Sequence, residues 1–191
     1  MLALIAGRGA LPGAVAAAQA DAPLVCALEG HAPEGLAVDL SFRIERLGSL
    51  LETSKNKGIT EVCFCGAIDR PQIDPAQIDA ATMPLVPVLA AALGAGEDGA
   101  LRAAIGVFEQ AGFAVRAAHA LAPDLIPPVG VLTTARPGDG VEADVAVALR
   151  VLAAQGAADL GQDCVVPNGS DRAREDAAGT EAKLAGKGVP A

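Results

Sequence analysis

The first thirteen residues constrain the chain most. Met1 to Ala6 (M-L-A-L-I-A) is an apolar run the length of one buried strand. Gly7-Arg8-Gly9-Ala10-Leu11-Pro12 breaks it, and an alanine-rich helical stretch, Ala14 to Ala20, follows. Strand, glycine turn and helix in that order form the first half of a nucleotide-binding βαβ unit. Gly7 and Gly9 permit a tight turn and a close approach of backbone to ligand. Pro12 suits a first helical turn, where its missing N–H costs nothing and its φ is already helical. Unpaired N–H groups at that helix end, aligned with the dipole, offer a seat for phosphate. The run reads G-x-G-x-x-P, without the third glycine of a dinucleotide fingerprint. The pattern alone therefore suits a phosphate seat and a purely structural turn equally.

A chain of 191 residues has room for one large or two small domains. Its residues are 52% hydrophobic, mostly Ala, Val and Leu, with four Phe and neither Trp nor Tyr. That suits layered strands and helices and leaves no aromatic platforms for stacking bases. A formal charge of −9 argues against a nucleic-acid partner, which needs a basic footprint. No apolar run reaches membrane-spanning length. The amino terminus lacks a basic start and carries Arg8 within it, so mature cytoplasmic structure is expected there, not a signal peptide. Cys63 and Cys65 alternate along one strand, and Cys26 is expected on a neighbouring one. A lone C-x-C favours buried reduced thiols over a metal site.

Along the chain, Pro23 to Glu29 reads as a second strand. Glu29 ends it where a dinucleotide fold places its ribose-binding carboxylate, or is simply a solvated strand end. His31 follows in a loop with no partner visible in the sequence. Phe42 to Leu47 reads as a short strand or turn. Gly48 to Lys57 has helical spacing, with Gly58 as its C-cap. Ile59 to Cys65 is the strongest strand pattern, followed by Gly66-Ala67-Ile68-Asp69-Arg70-Pro71. Loops leaving the carboxyl ends of parallel strands form the ligand crevice of an open α/β sheet. Arg70 there could fork a phosphate, or pair with Asp69 or Asp74 on the surface. Pro75 to Ala92 is helical in parts, and its apolar run could line a greasy groove or be core. Gly94 to Gly99 opens a helix over Ala100 to Gln110, with Asp98 as its cap or as a crevice carboxylate. Phe113 to Ala117 alternates as a strand, with His119 after it.

Pro123 to Gly140 holds four prolines and three glycines, a linker composition. Val141 to Ala154 is helical, and Asp159 to Val166 turns into a strand. No periodic face can be drawn from Pro167 to Ala191. The expected class is therefore α/β: a Rossmann-like domain with a mostly parallel sheet over 1–130, a linker over 131–140, and a partial second α/β domain over 141–191. Residues 167–191 are expected to be mobile. The second domain runs out of apolar residues too soon to bury a core alone.

The segments I-A-G-R-G-A-L-P, C-G-A-I-D-R-P, G-E-D-G-A-L-R, D-L-I-P-P-V-G-V-L-T and the G-Q after the linker occur in an order and spacing that resemble one family. This is the LpxI family of UDP-2,3-diacylglucosamine diphosphatases, and the resemblance runs from Met1 to about Val166. It implies hydrolysis of the pyrophosphate of UDP-2,3-diacylglucosamine to UMP and lipid X, on the way to lipid A. It also implies a divalent cation, usually Mg²⁺, and a ligand held between a Rossmann-like domain and a second α/β domain.

The resemblance implies further that the second domain of family members continues past this chain, and that their essential acidic residue lies there. No catalytic residue or metal ligand is therefore assigned. The family's usual lysine after the Ile59–Cys65 strand is replaced by Ala67. The family's E-G-T-D is matched by A-G-T-E at Ala178 to Glu181, which carries Thr180 over. The substrate-binding candidates are then Gly9, Ala10, Leu11, Gly66, Asp69, Arg70, Asp98 and Thr180, with Leu85 to Leu93 for acyl chains. Asp98 and Asp163 are the acids to mutate if the chain turns over. The expected partner is a lipid-linked UDP-sugar, with peripheral contact at the inner membrane and a homo-oligomer left open. Two alternatives remain: a non-catalytic ligand-binding fragment of such an enzyme, and an NAD-dependent Rossmann oxidoreductase using Gly7, Gly9 and Glu29.

Overall fold

The computed structural model describes residues 1–69, 71–94, 97–158 and 161–174. Its packing divides the chain into two units, Met1–Pro127 and Pro128–Ala191. The first unit is an α/β layer structure around a five-stranded parallel sheet. Its strands are β1 (Leu2–Ala6), β2 (Leu24–Leu28), β3 (Leu40–Phe42), β4 (Glu61–Cys65) and β5 (Ala114–Val115), in the order β3-β2-β1-β4-β5. The reversal of direction between β1 and β4 is the topological switch point of a doubly wound fold.

The strand alternation sorts the core into two layers. Ala3 and Ile5 of β1, Val62 of β4 and Cys26 of β2 face one cluster, where Leu47, Leu50 and Leu51 of α2 (Leu47–Asn56) meet Val107 and Phe108 of α4 (Glu97–Gln110). Leu4, Ala6, Cys63 and Cys65 face the other, closed by Val15 of α1 (Leu11–Ala17) and by residues of α5 (Ala118–Leu121). Connections toward β3 cover one face and those toward β5 the other, as right-handed crossovers require. Between β4 and β5 the chain makes 3-10 turns at Pro75–Gln77 and Met83–Leu85, then α3 (Val86–Gly94) and α4. Phe64, Phe108 and Phe113 stack edge-on and tilted at centroid separations of 5.1 and 5.8 Å, so most of the few aromatics are spent in this layer.

Several boundaries depart from the sequence reading. Helix α1 starts at Leu11, so the glycine turn is shorter than expected and Ala10 is the N-cap. Helix α4 starts at Glu97, which puts Asp98 inside its first turn instead of at the cap. Cys26 lies two strands from Cys63 and Cys65, on the opposite face, because β1 intervenes. All three thiols are free and buried. Burial pushes Cys26 up to about 11. Cys65 is also raised, by its hydrogen bond with Cys63 and by burial. Neutral thiols of this kind pack as small hydrophobes.

The second unit contains α6 (Val141–Ala158) and a two-stranded antiparallel pair, β6 (Cys164–Val165) and β7 (Ala173–Arg174). The sequence reading stopped its elements at Val166. Asn168 and Gly169, both at positive φ, make the turn that brings the chain back, and Asp144 of α6 accepts from both of their N–H groups. Asn-Gly between strands is a strong short-range hairpin signal, and it stands in the sequence as P-N-G-S. Among the described residues, no helix is long and apolar enough to cross a membrane.

At the switch point the loops leaving β1 and β4 close on each other. Gly7 N–H donates to Cys65 O at 2.8 Å, and Arg8 and Ala67 exchange backbone bonds at 2.9 and 3.0 Å. A Cβ on Gly7 would lie 2.5 Å from Ala67 O. One on Gly66, whose φ is +91°, would lie 2.6 Å from Gly7 O. Gly9 has φ +94° but open space around it. We expect Gly9→Ala to cost about 1 kcal/mol through its backbone alone. Gly7→Ala should cost about 1–3 kcal/mol through overpacking, and Gly66→Ala more than either, because it suffers both. Equal losses for the three in urea melts would show that the loop contact does not constrain the fold.

Candidate functional site

Three loops at the carboxyl edge of the sheet bring together charged groups that are distant in sequence. Arg8 follows β1, His31 follows β2 and Asp69 follows β4. Arg8 Nη2 donates to Asp69 Oδ1 at 2.6 Å. His31 Nδ1 lies 3.1 Å from Glu29 O, and His31 Nε2 lies 3.7 Å from Asp69 Oδ2. The β2 loop is pinned to the glycine turn by Glu34 N–H donating to Gly9 O at 3.3 Å. His31, read from sequence as partnerless, is therefore the third member of a cluster. The Arg8 guanidinium holds the Asp69 carboxyl below the usual carboxylate range.

Beneath this cluster lies a cavity of about 530 Å³. Ile5, Phe64 and Phe42 of the sheet form one wall, and Val88, Leu89 and Ala104 of α3 and α4 form the opposite one. Among the described residues Asp69 is the charged residue in the lining, and its side chain is 71% exposed. The cavity is thus apolar inside and polar at its rim. Of the Pro75 to Ala92 run, read as groove or core, Val88, Leu89 and Ala92 face this space, while Leu85 and Leu89 also pack against the core.

The rim is braced by a clamp that no local sequence pattern announces. Glu45, 1% exposed, accepts from Arg43 Nη2 at 3.0 Å and from Asp74 N–H at 2.9 Å. Its own carbonyl accepts from Asp79 N–H at 3.1 Å. Burial pushes Glu45 up, but the Arg43 fork and the Asp74 N–H outweigh it and hold Glu45 low. Asp79 accepts from Ser49 Oγ at 2.5 Å and from Thr82 N–H at 2.7 Å. Gly48 approaches the Ala81 backbone so closely that a Cβ would sit 2.2 Å away. Segment 71–82, which carries Pro71 and Ile73 into the cavity wall, is tied in this way to the start of α2.

The sequence candidates distribute as follows. Gly9 and Ala10 form the turn beneath the Arg8–Asp69 pair, and Leu11 begins α1. No side chain caps α1, and no acidic residue lies in its first turn. Gly66 packs against Gly7 and Arg8, so its missing Cβ serves loop-to-loop approach. Asp69 is at the rim. Arg70 and Thr180 lie outside the described residues, as does the side chain of Asp98. Glu29, read as a ribose carboxylate or a solvated strand end, pairs with Arg43 at 3.7 Å. His119 lies on α5, and Asp163 lies in the second unit between α6 and β6. Among the described residues no three His, Cys, Asp or Glu side chains are grouped to hold a metal. Asp69, at the rim, is engaged by Arg8. Among the described residues these side chains do not form a cage for a divalent cation.

A 3-2-1-4-5 parallel sheet with a charged cluster at its switch point is a doubly wound, Rossmann-like α/β architecture. Comparison with known proteins makes this more specific. Residues 1–125 match the LpxI N-terminal domain and residues 128–189 the LpxI C-terminal domain. A relative from Caulobacter vibrioides, UDP-2,3-diacylglucosamine pyrophosphatase LpxI, is 33% identical over 190 residues, covering 96% of this chain and 67% of its own length. The chain belongs to the LpxI family.

The clamp can be tested through its charge. Arg43→Ala leaves the buried Glu45 carboxylate short of its side-chain partner, and we expect a loss of about 1–3 kcal/mol at neutral pH. Glu45 is held below its unfolded value, so its contribution is full above the ordinary glutamate range. It is lost as pH falls through that range toward the depressed native value. Urea melts at neutral and acid pH should therefore show the wild type and Arg43→Ala converging in acid. A gap that does not change with pH would remove Glu45 from the account.

Proposed function

We propose that this chain acts in lipid A biosynthesis as a hydrolase of UDP-2,3-diacylglucosamine, cleaving its pyrophosphate to give UMP and lipid X. The observation that carries the reading is the juxtaposition of an apolar cavity with a cationic group at its rim. A substrate with acyl chains on one side and a pyrophosphate on the other has the same division. Burial of each methylene in such a cavity is worth about 0.8 kcal/mol. Membership of the LpxI family and the name of the Caulobacter relative support the same substrate.

The chain's own residues would divide the work. Val88, Leu89 and Phe64 receive an acyl chain, and Arg8 meets phosphate charge at the mouth. The N–H groups of Ala10 and Leu11, at the uncapped start of α1, are further candidates for that charge. Gly9, Gly66 and Asp69 shape the mouth, and Arg70, Asp98 and Thr180 remain candidates on the sequence argument alone. A divalent cation such as Mg²⁺ would neutralise pyrophosphate charge when bound, and pyrophosphate oxygens could supply much of its coordination.

The test is release of UMP from UDP-2,3-diacylglucosamine by the 191-residue chain, with Mg²⁺ and with EDTA. Metal-dependent release is expected. Ala104→Phe, which fills the cavity from α4, should lower kcat/KM by about tenfold or more, the worth of two or more buried methylenes. Binding of lipid X without release of UMP would instead favour a ligand-binding fragment. Stabilisation by NAD alone would overturn the assignment.

A further inference from the structure

We infer that Arg8 and His31 form a seat for a phosphoryl anion, and that the Asp69 carboxylate occupies this seat when no ligand is present. The inference deepens the reading above by naming the groups that would take the pyrophosphate, and it rests on the geometry of three side chains.

Asp69 lies between two nitrogen groups, one oxygen on Arg8 Nη2 at 2.6 Å and the other facing His31 Nε2 at 3.7 Å. Its grip is weak on both sides. The Arg8–Asp69 pair is solvent-exposed, with side chains 44% and 71% accessible. Exposed pairs of this kind contribute little to stability. His31 is the reverse case. Its side chain is only 14% exposed, and Nε2 is buried without a hydrogen-bond partner among the described residues. A buried polar atom left so carries its desolvation cost without a compensating bond.

The imidazole orientation sharpens the point. Nδ1 faces the Glu29 carbonyl, which can only accept, so Nδ1 carries a hydrogen. The other nitrogen is then a lone pair in the neutral ring, set against a carboxylate, and a donor only in the imidazolium. Among the described residues, the ring faces Asp69 with Arg8 behind it, and Glu29, whose backbone carbonyl meets Nδ1, has its carboxylate drawn to Arg43. A phosphoryl group has more acceptor oxygens than a carboxylate. It can take the Arg8 fork while placing another oxygen nearer Nε2 than 3.7 Å. Displacing Asp69 gives up an exposed ion pair, and with the ring as imidazolium the Nε2–H donates to a phosphoryl oxygen. Asp69 stands in the loop after β4 with its side chain 71% exposed.

The test uses the full chain and inorganic pyrophosphate, with affinity read by calorimetry. Arg8→Ala and His31→Gln should each weaken binding about 10-fold or more, the worth of one charge-assisted hydrogen bond. Asp69→Asn should tighten it several-fold, because a ligand's apparent affinity falls with the fraction of sites held closed. The chain has two histidines, His31 and His119, so the His31 ring nitrogens can be followed by NMR. Pyrophosphate should shift His31 Nε2 in the wild type and leave His119 unmoved. If Asp69→Asn weakens binding as Arg8→Ala does, Asp69 is a ligand or positioning group and the inference falls. It also falls if all variants bind alike. Arg8 and Asp69 are exposed, so their variants carry the test even if His31→Gln unfolds. Binding without UMP release would leave the seat standing while the proposed hydrolysis failed. Release of UMP with affinities unchanged across the variants would do the opposite.

Discussion

The contact on which the rest of the first unit depends is the closure of the β1 and β4 loops at the switch point. Two strands that part company there would ordinarily leave a cleft between their following loops. Here Gly7 and Gly66 let the two backbones meet, and the Arg8–Ala67 exchange continues the pairing past the end of both strands. The consequence reaches beyond the fold. With the backbone N–H groups of Gly7 and Arg8 committed to β4 and its loop, the first glycine turn has its side chains and its later N–H groups left for a ligand. The Arg8 side chain is thereby fixed over the cavity mouth, where Asp69 meets it.

That arrangement separates strong from weak interactions by place. The buried clamp of Glu45, Asp79 and Thr82 fixes segment 71–82 through charge-assisted and backbone hydrogen bonds in a region shielded from water. The rim has one exposed ion pair and one half-satisfied imidazole. A binding site has to exchange its partners, and groups held as firmly as Glu45 cannot do so. Stability resides in the wall and exchange at the mouth, and the two are joined by a few residues of one loop.

The layer architecture was legible because it depends on local patterns. The opening apolar run, the I-T-E-V-C-F-C strand and Gly58 at positive φ after α2 are each specified by neighbours in sequence. The extent of α4 was less so, since the glycine-rich segment before it reads as a turn up to Gly99 although the helix begins at Glu97. The 164–174 hairpin is signalled in the sequence only by Asn168-Gly169, two residues long. The family, too, was legible, because its motifs recur in order along the chain.

The cluster itself was not legible, for a physical reason. Arg8, His31 and Asp69 each sit in a loop after a different strand, and only the strand order β2-β1-β4 brings those loops side by side. His31 had no partner in sequence because its partner lies across two strands. Glu45, within R-I-E-R, reads as one more surface charge until Asp74 and Arg43 are seen to enclose it. A doubly wound sheet gathers its functional groups from loops at its carboxyl edge, so the residue types can be read in advance but their pairing cannot. That pairing decides the chemistry here. Arg8 alone is a surface arginine and His31 alone a half-buried ring. Set against one carboxylate at the mouth of an apolar cavity, they make the seat proposed above for an anion attached to a lipid.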